Sequence, residues 1–106
     1  MSGTLPARDV HGHLCDWQLW TPEIARVLAA EERIALEAAH WEILDFLRAH
    51  YAAFAEAPPM RLLTRAVGAR LGADKGNSRY LYRLFPESPA KQGSKLAGLP
   101  KPVSCI

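Results

Sequence analysis

Prolines divide this chain into short segments, and their positions constrain its fold more than any other feature. Pro22, the pair Pro58 and Pro59, and then Pro86 and Pro89 stand at intervals along the sequence. A proline fits the first turn of a helix, but inside a helix it removes a hydrogen bond and clashes with the preceding turn. The sequence therefore predicts several short helices and no single long one.

The segments between the prolines show helical spacing. In the clearest one, residues 36–55, the residues expected on one face follow three- and four-residue steps: Leu36, His40, Ile43, Leu44, Leu47, Tyr51 and Phe54. Further helices are predicted over residues 22–30, 60–71, 78–85 and 89–98. The predicted fold is all-α, a small orthogonal helical bundle.

The segment before the first helix carries two histidines and a cysteine. Residues 10–14 favour either a short N-terminal β-hairpin or a loop. On an ideal strand His11, His13 and Cys15 would face one side, as metal ligands do. No fourth ligand is evident and Gly12 disfavours a regular strand, so we expect a surface turn, with no metal site and no cofactor.

The chain length suits one domain with a single core. We expect a helical domain over residues 1–98 and a mobile, extended C-terminal arm over residues 99–106. The N-terminus lacks the pattern of a signal peptide, and no apolar run approaches the roughly 20 residues that span a bilayer. We therefore expect a cytoplasmic protein with no membrane partner, in which Cys15 and Cys105 stay unpaired.

The arm ends in a thiol. The stretch Leu99-Pro100-Lys101-Pro102 is predicted to be stiff and extended, and Cys105 follows it. A thiol on such an arm can reach the active site of another protein. The pKa of an ordinary thiol is about 8.5. The Ile106 carboxylate opposes the reactive thiolate, Lys95 and Lys101 favour it, and solvent largely screens both effects on a free arm. No catalytic base is evident nearby, which predicts a carrier and not a self-sufficient enzyme.

Positive charge is concentrated in the second half of the chain. Residues 59–106 hold nine basic side chains against two acidic ones, whereas residues 1–58 hold nine acidic side chains against four arginines. Arg61, Arg79 and Arg83 belong to this basic region. Three interpretations are open: a helix-turn-helix regulator that binds DNA, a solvated face, or a cleft that receives the arm and stabilises its thiolate or persulfide anion. We favour the arm cleft.

Motifs along nearly the whole chain resemble the DsrC/TusE family of sulfur-carrier proteins. The matching segments, in chain order, are Asp16-Trp17, Trp20-Thr21-Pro22-Glu23, His40-Trp41-Glu42, Phe46-Leu47-Arg48, Pro59, Arg61, Tyr80-Leu81-Tyr82-Arg83-Leu84-Phe85-Pro86, Pro89-Ala90-Lys91-Gln92, and Lys95-Leu96-Ala97-Gly98-Leu99-Pro100-Lys101-Pro102 with Cys105. The ending is highly specific. The resemblance implies a helical sulfurtransferase whose arm carries sulfur as a persulfide on Cys105.

The family has two branches that differ in their partners. In the TusE branch, sulfur arrives from a TusBCD-type donor complex and passes toward the tRNA 2-thiouridylase, which thiolates the wobble uridine of tRNA. In the DsrC branch, the protein serves dissimilatory sulfite reductase and uses a second arm cysteine. That second position, eleven residues before Cys105, is Ser94 here. The resemblance thus implies a single-cysteine relay in tRNA thiolation, with sulfite reductase as the alternative partner.

Two positions depart from the pattern of the family. Arg33 stands where the family usually has glycine, and Glu37 stands where it usually has a capping threonine. Arg33 precedes the second predicted helix, and Glu37 lies in its first turn. The departures concern how that helix begins and leave the expected sulfur chemistry of Cys105 unchanged.

Overall fold

Five α-helices make up most of residues 5–102, the part of the chain that the computed structural model describes. They are α1 (Pro22–Glu31), α2 (Ala38–Phe54), α3 (Met60–Leu71), α4 (Ser78–Leu84) and α5 (Pro89–Leu96). A short 3₁₀ helix, Trp17–Leu19, precedes α1 and was not predicted. The predicted helical class and the five helix positions are confirmed, while the orthogonal arrangement stays a prediction.

Side-chain caps fix the first turns of three helices. Thr21, Asn77 and Ser88 each accept a hydrogen bond from the backbone N–H three residues later, at 3.2, 2.9 and 3.3 Å. Each cap satisfies a donor that helix geometry leaves unpaired. Because Pro22 and Pro89 follow two of these caps, the sequence sets the starts of α1 and α5 locally.

Helix α1 ends at a residue with left-handed backbone geometry. Arg33 has a φ angle of +61°, and the next N–H, that of Ile34, donates to Ala29 O at 2.9 Å. Such a bond closes the end of a helix and usually involves glycine at the left-handed position. The position where the family usually has glycine is therefore one where this backbone favours it.

Helix α2 is joined to its neighbours by His40. The backbone N–H of Glu37 donates to His40 Nδ1 at 3.1 Å, so Glu37 begins the helix without a threonine cap. Because Nδ1 accepts this bond, the ring proton lies on Nε2, which donates to Leu84 O at 2.9 Å. The same side chain thus stabilises the start of α2 and the end of α4.

Helix α5 lies at the centre of the domain. It packs against each of the other four helices, and six of its eight residues are buried. The core around it is formed by fully buried apolar side chains from every helix, chiefly Leu28, Ile43, Leu44, Leu47, Leu63, Val67, Leu81, Phe85 and Leu96. Whatever follows α5 in the chain therefore starts from the most fixed part of the fold.

The predicted N-terminal β-hairpin is wrong. Within residues 5–102 the segment forms one isolated antiparallel bridge, between Arg8 and Leu14, and no strand. The carboxylate of Asp9 accepts the backbone N–H groups of His11 and His13, at 2.9 and 3.0 Å. Together with two backbone bonds, from Asp9 N–H to His13 O and from Cys15 N–H to Ala7 O, they close the segment into a loop without a strand, which was the predicted alternative.

Among the described residues, no helix is both long enough and apolar enough to cross a bilayer.

Candidate functional site

The candidate site is the root of the C-terminal arm. Cys105, the predicted sulfur acceptor, lies outside the described residues, which end at Pro102. Of the predicted arm residues that the structure places, Leu99 and Pro102 are buried, and Pro100 and Lys101 are exposed. The side chain of Leu99 belongs to the hydrophobic core. The arm therefore follows the body of the protein for its first four residues.

Hydrogen bonds hold this root, and most of them come from distant parts of the sequence. Trp20 Nε1 donates to Leu96 O at 2.8 Å, and Arg48 Nη1 donates to Ala97 O at 2.8 Å. His13 Nδ1 donates to Leu99 O at 2.8 Å. These three carbonyls follow the last turns of α5, where a helix leaves its oxygens without partners.

Arg48 is held between two aromatic rings. Its guanidinium carbon lies 4.4 Å from the ring centroid of Trp20 and 5.1 Å from that of Trp17. A cation over an indole face contributes about 0.5–2 kcal/mol, more when it is shielded from water. The stacking fixes the direction in which Arg48 points to Ala97 O, so the 3₁₀ helix and Trp20, the residue that follows it, position the end of α5.

Ser94 lies beneath this root. It is fully buried, and its backbone oxygen accepts the N–H of Leu99 at 2.9 Å. Among the described residues, its hydroxyl has no hydrogen-bond partner. The position that carries the second cysteine in the DsrC branch is therefore a buried position inside α5, joined to the first arm residue by a backbone hydrogen bond.

A polar groove of about 470 Å³ opens beside the arm root. It lies between the N-terminal loop, α5 and the arm, and its lining residues are His11, His13, Glu32, Glu87, Ser88, Lys91, Gln92, Lys95 and Lys101. Lys95 Nζ lies 2.7 Å from a carboxylate oxygen of Glu32, and Gln92 Nε2 donates to the other oxygen at 3.0 Å. These hydrogen bonds, first that from Gln92 and then that from Lys95, lower the pKa of Glu32.

The two histidines of the N-terminal loop have different positions. His13 is buried, and burial lowers its pKa below the ordinary value of 6.5. His11 is exposed and accepts a hydrogen bond from Lys101 Nζ at 3.4 Å. Cys15 is exposed as well. Among residues 5–102, no group of three or more histidine, cysteine or acidic side chains is placed to hold a metal ion.

The arginines predicted to form an arm cleft lie elsewhere on the described surface. Arg79 and Arg83 line a second groove, of about 450 Å³, together with Asp74, Asn77 and Tyr80. Arg61 is exposed on α3 and lines neither groove. The two grooves share no lining residue, so the structure does not bring these arginines to the arm root. Their contact with the arm stays a prediction.

Sequence reasoning missed the residues that hold the root. Trp20 and Arg48 lie in the segments that resemble the family, but no local pattern shows that they bond to carbonyls 76 and 49 residues away. The sequence likewise placed His13 in a surface turn and gave no sign of its bond to Leu99 O, 86 residues away. The usable signal was weaker: the two prolines after Leu99 indicate a fixed direction for the arm, and a fixed direction requires an anchor.

The sequence model described as "DsrC like protein" matches residues 1–106. The chain is 50% identical over 104 residues to the protein named sulfurtransferase TusE of Pectobacterium atrosepticum, covering 98% of this chain and 95% of that one. It is similar to the NMR structure of Allochromatium vinosum DsrC, with a TM-score of 0.89, 46% identity, and coverage of 100% and 95% of the two chains. It is also similar to the oxidised γ-subunit of the dissimilatory sulfite reductase (DsrC) from Archaeoglobus fulgidus, with a TM-score of 0.82, 36% identity, and coverage of 99% and 96%.

Proposed function

The chain belongs to the family of DsrC-like proteins, and from this premise we propose that it is a sulfur-relay carrier whose Cys105 accepts and releases sulfane sulfur. The observation that carries the proposal is the similarity to a sulfurtransferase over 98% of this chain, with the family model matching residues 1–106 and so the arm as well. The anchored arm root supports it, because Cys105 follows Pro102 by three residues.

The proposed reaction is an exchange of one sulfur atom between two cysteines. The Cys105 thiolate attacks the outer sulfur of a donor cysteine persulfide, a new S–S bond forms, and the donor's S–S bond breaks to release its thiolate. The outer sulfur and its proton move together, so no external oxidant or reductant is needed. Release to an acceptor is the same exchange in reverse roles.

The TusE name of the relatives favours tRNA thiolation as the pathway. The donor is then a TusBCD-type complex, and the acceptor is a tRNA 2-thiouridylase with its tRNA, in the cytoplasm. In this arrangement the protein supplies no base or metal of its own. Its contribution is to present one thiol at a fixed place, and the partners supply the rest of the chemistry.

Dissimilatory sulfite reductase is the second candidate partner, because similar solved structures include a γ-subunit of that enzyme. Ser94 argues against the two-thiol chemistry of the DsrC branch, since a hydroxyl cannot form a disulfide. Co-purification of this protein with a sulfite reductase, in preference to a TusBCD-type complex, would favour the second candidate.

Mass spectrometry of the intact protein tests the proposal. The protein is incubated with a cysteine desulfurase, cysteine and a TusBCD-type complex, and we expect it to gain the mass of one sulfur atom. The exposed Cys15 provides the matched control: Cys15→Ser should load as the wild type does, and Cys105→Ser should not load. Equal loading of Cys105→Ser, or none on the wild type, would overturn the proposal.

A further inference from the structure

The length of chain beyond the arm root limits how far Cys105 can reach. The last described residue, Pro102, is buried, and Leu99 before it is in the core. Three residue steps separate Pro102 from Cys105. A fully extended chain advances at most about 3.6 Å per residue, so the two Cα atoms lie no more than about 11 Å apart while the root stays bound.

This limit determines which surface a partner has to cover. A protein whose active-site cysteine exchanges sulfur with Cys105 must come within about 11 Å of Pro102, plus the length of the side chains. The polar groove borders the arm root and includes Lys101, the residue next to Pro102, in its wall. The groove is therefore a surface that a protein with its active site at that distance can cover.

The free charges of the groove are mainly positive. Lys95 is paired with Glu32 at 2.7 Å. Among residues 5–102, Lys91, Lys101 and Glu87 form no ion pair, and both lysines are exposed. Of the groove charges without an ion pair among the described residues, two are therefore positive and one is negative. His11 and His13 line the same groove. A surface with carboxylates complements this arrangement.

We propose that this groove is the docking surface for the sulfur-exchanging partner, and that the partner presents an acidic protein face to Lys91 and Lys101. The inference rests on the proposed function and adds to it the place and the chemistry of the contact. A protein face is favoured over RNA because the groove also contains Glu32 and Glu87, which repel a continuous row of phosphates. It is favoured as well because Cys105 exchanges sulfur with a protein thiol.

The rate of sulfur transfer from a persulfide-loaded TusBCD-type complex tests this proposal. Charge pairs at the edge of an interface speed association and make its rate fall as salt rises. We expect Lys91→Glu and Lys101→Glu each to lower the second-order rate constant about tenfold at low ionic strength, and to flatten its dependence on salt. Arg65→Glu, a charge reversal at an exposed site outside the groove, should keep the rate and the salt dependence of the wild type.

The control variant and the wild-type protein separate failure of the docking proposal from failure of the proposed function. Equal slowing by Arg65→Glu would show an effect of net charge alone, and a wild-type rate for Lys91→Glu would show that the groove is not the contact; either result overturns the docking proposal. So would loss of tRNA binding by Lys91→Glu with unchanged transfer, which would make the groove an RNA contact. If wild-type Cys105 accepts sulfur neither from the complex nor from inorganic polysulfide, the proposed function itself fails.

Discussion

Arg33 has a backbone conformation that costs free energy for any residue with a Cβ atom. Its φ angle is +61°, and the residue is exposed at the end of α1. In left-handed geometry the Cβ crowds the following carbonyl oxygen, at a cost of roughly 1–2 kcal/mol, whereas glycine avoids the clash but loses more chain entropy on folding. The net balance at such a position favours glycine.

We expect Arg33→Gly to raise the free energy of unfolding by about 0.5–1 kcal/mol. Arg33→Ala keeps the Cβ and removes only the side chain, so it should leave stability close to that of the wild type. Urea denaturation of the three proteins measures both effects. Stabilisation of equal size by alanine would mean that the side chain, and not the backbone strain, is the cause.

His13 gives the arm root a dependence on pH. Burial lowers the pKa of His13 in the folded protein. The unfolded chain, in which His13 has its ordinary pKa, therefore binds a proton first as the pH falls. The contribution to stability is complete above the unfolded pKa of about 6.5 and is lost as the pH falls from there through the lower, folded pKa.

We expect the unfolding free energy of the wild type to fall between about pH 7.5 and pH 5, and His13→Asn to fall less over the same range. His50, whose pKa is also lowered by burial, acts in the same direction, so part of the dependence should remain. Identical profiles for His13→Asn and the wild type would contradict the assignment.

Single residues also show where sequence reasoning reaches its limit. Cys105 was predicted from its place on the proline-spaced arm and from the resemblance to the family, and the resemblance alone indicated Ser94; the role of Cys105 stays a prediction. Arg48 and Trp20 were not assigned to the arm root, because their bonds to Ala97 and Leu96 arise only when α5 is packed in the core. Contacts between distant segments depend on the fold, and a local pattern does not contain them.

At the scale of elements, the end of α5 and the ring of Trp20 are in close contact. Gly98 has a φ angle of +76°, and a Cβ added there would lie 2.7 Å from the Cβ and Cγ of Trp20. Gly12, in the N-terminal loop, has a similar φ angle of +86°. A Cβ at Gly12 would meet only the end of the flexible Lys95 side chain, at 3.1 Å. A Cβ would therefore introduce backbone strain at both glycines, but a steric clash with a fixed neighbour only at Gly98.

We expect Gly98→Ala to lower the free energy of unfolding by about 2–4 kcal/mol, from left-handed strain and overpacking together. Gly12→Ala should cost only the strain, about 1–2 kcal/mol. The difference between the two variants in denaturant unfolding measures how tightly Trp20 fixes the arm root. Equal costs would show that the contact with Trp20 relaxes freely and does not anchor the arm.

The helices were predictable from the sequence, and the N-terminal loop was less so. Caps and prolines are local signals, so Thr21-Pro22 and Ser88-Pro89 gave the starts of α1 and α5. The N-terminal segment has alternating residues as a strand does, but the side chain of Asp9 accepts the backbone N–H of His13, which a hairpin would use in its ladder opposite Asp9. Competition from one short polar side chain decided that element.

In the whole molecule, the helical core holds the first residues of the C-terminal arm in place. Helix α5 is surrounded by the other four helices, and the arm continues from it along the surface as far as Pro102. Lys91 and Lys101, two of the basic residues in the second half of the chain, lie in the groove beside the arm root. The charge bias was visible in the sequence, whereas the groove that gathers these two lysines was not.

Transfer of labelled sulfur from this protein to tRNA tests directly whether Cys105 carries sulfur for tRNA thiolation. The protein is loaded with radioactive sulfur from labelled cysteine through a desulfurase and a TusBCD-type complex, purified, and mixed with a tRNA 2-thiouridylase, ATP and tRNA. We expect the label to leave Cys105 and appear in tRNA, with no delivery by Cys105→Ser and as much delivery by Cys15→Ser as by the wild type. Label that stays on the loaded protein, or equal delivery by Cys105→Ser, would contradict it.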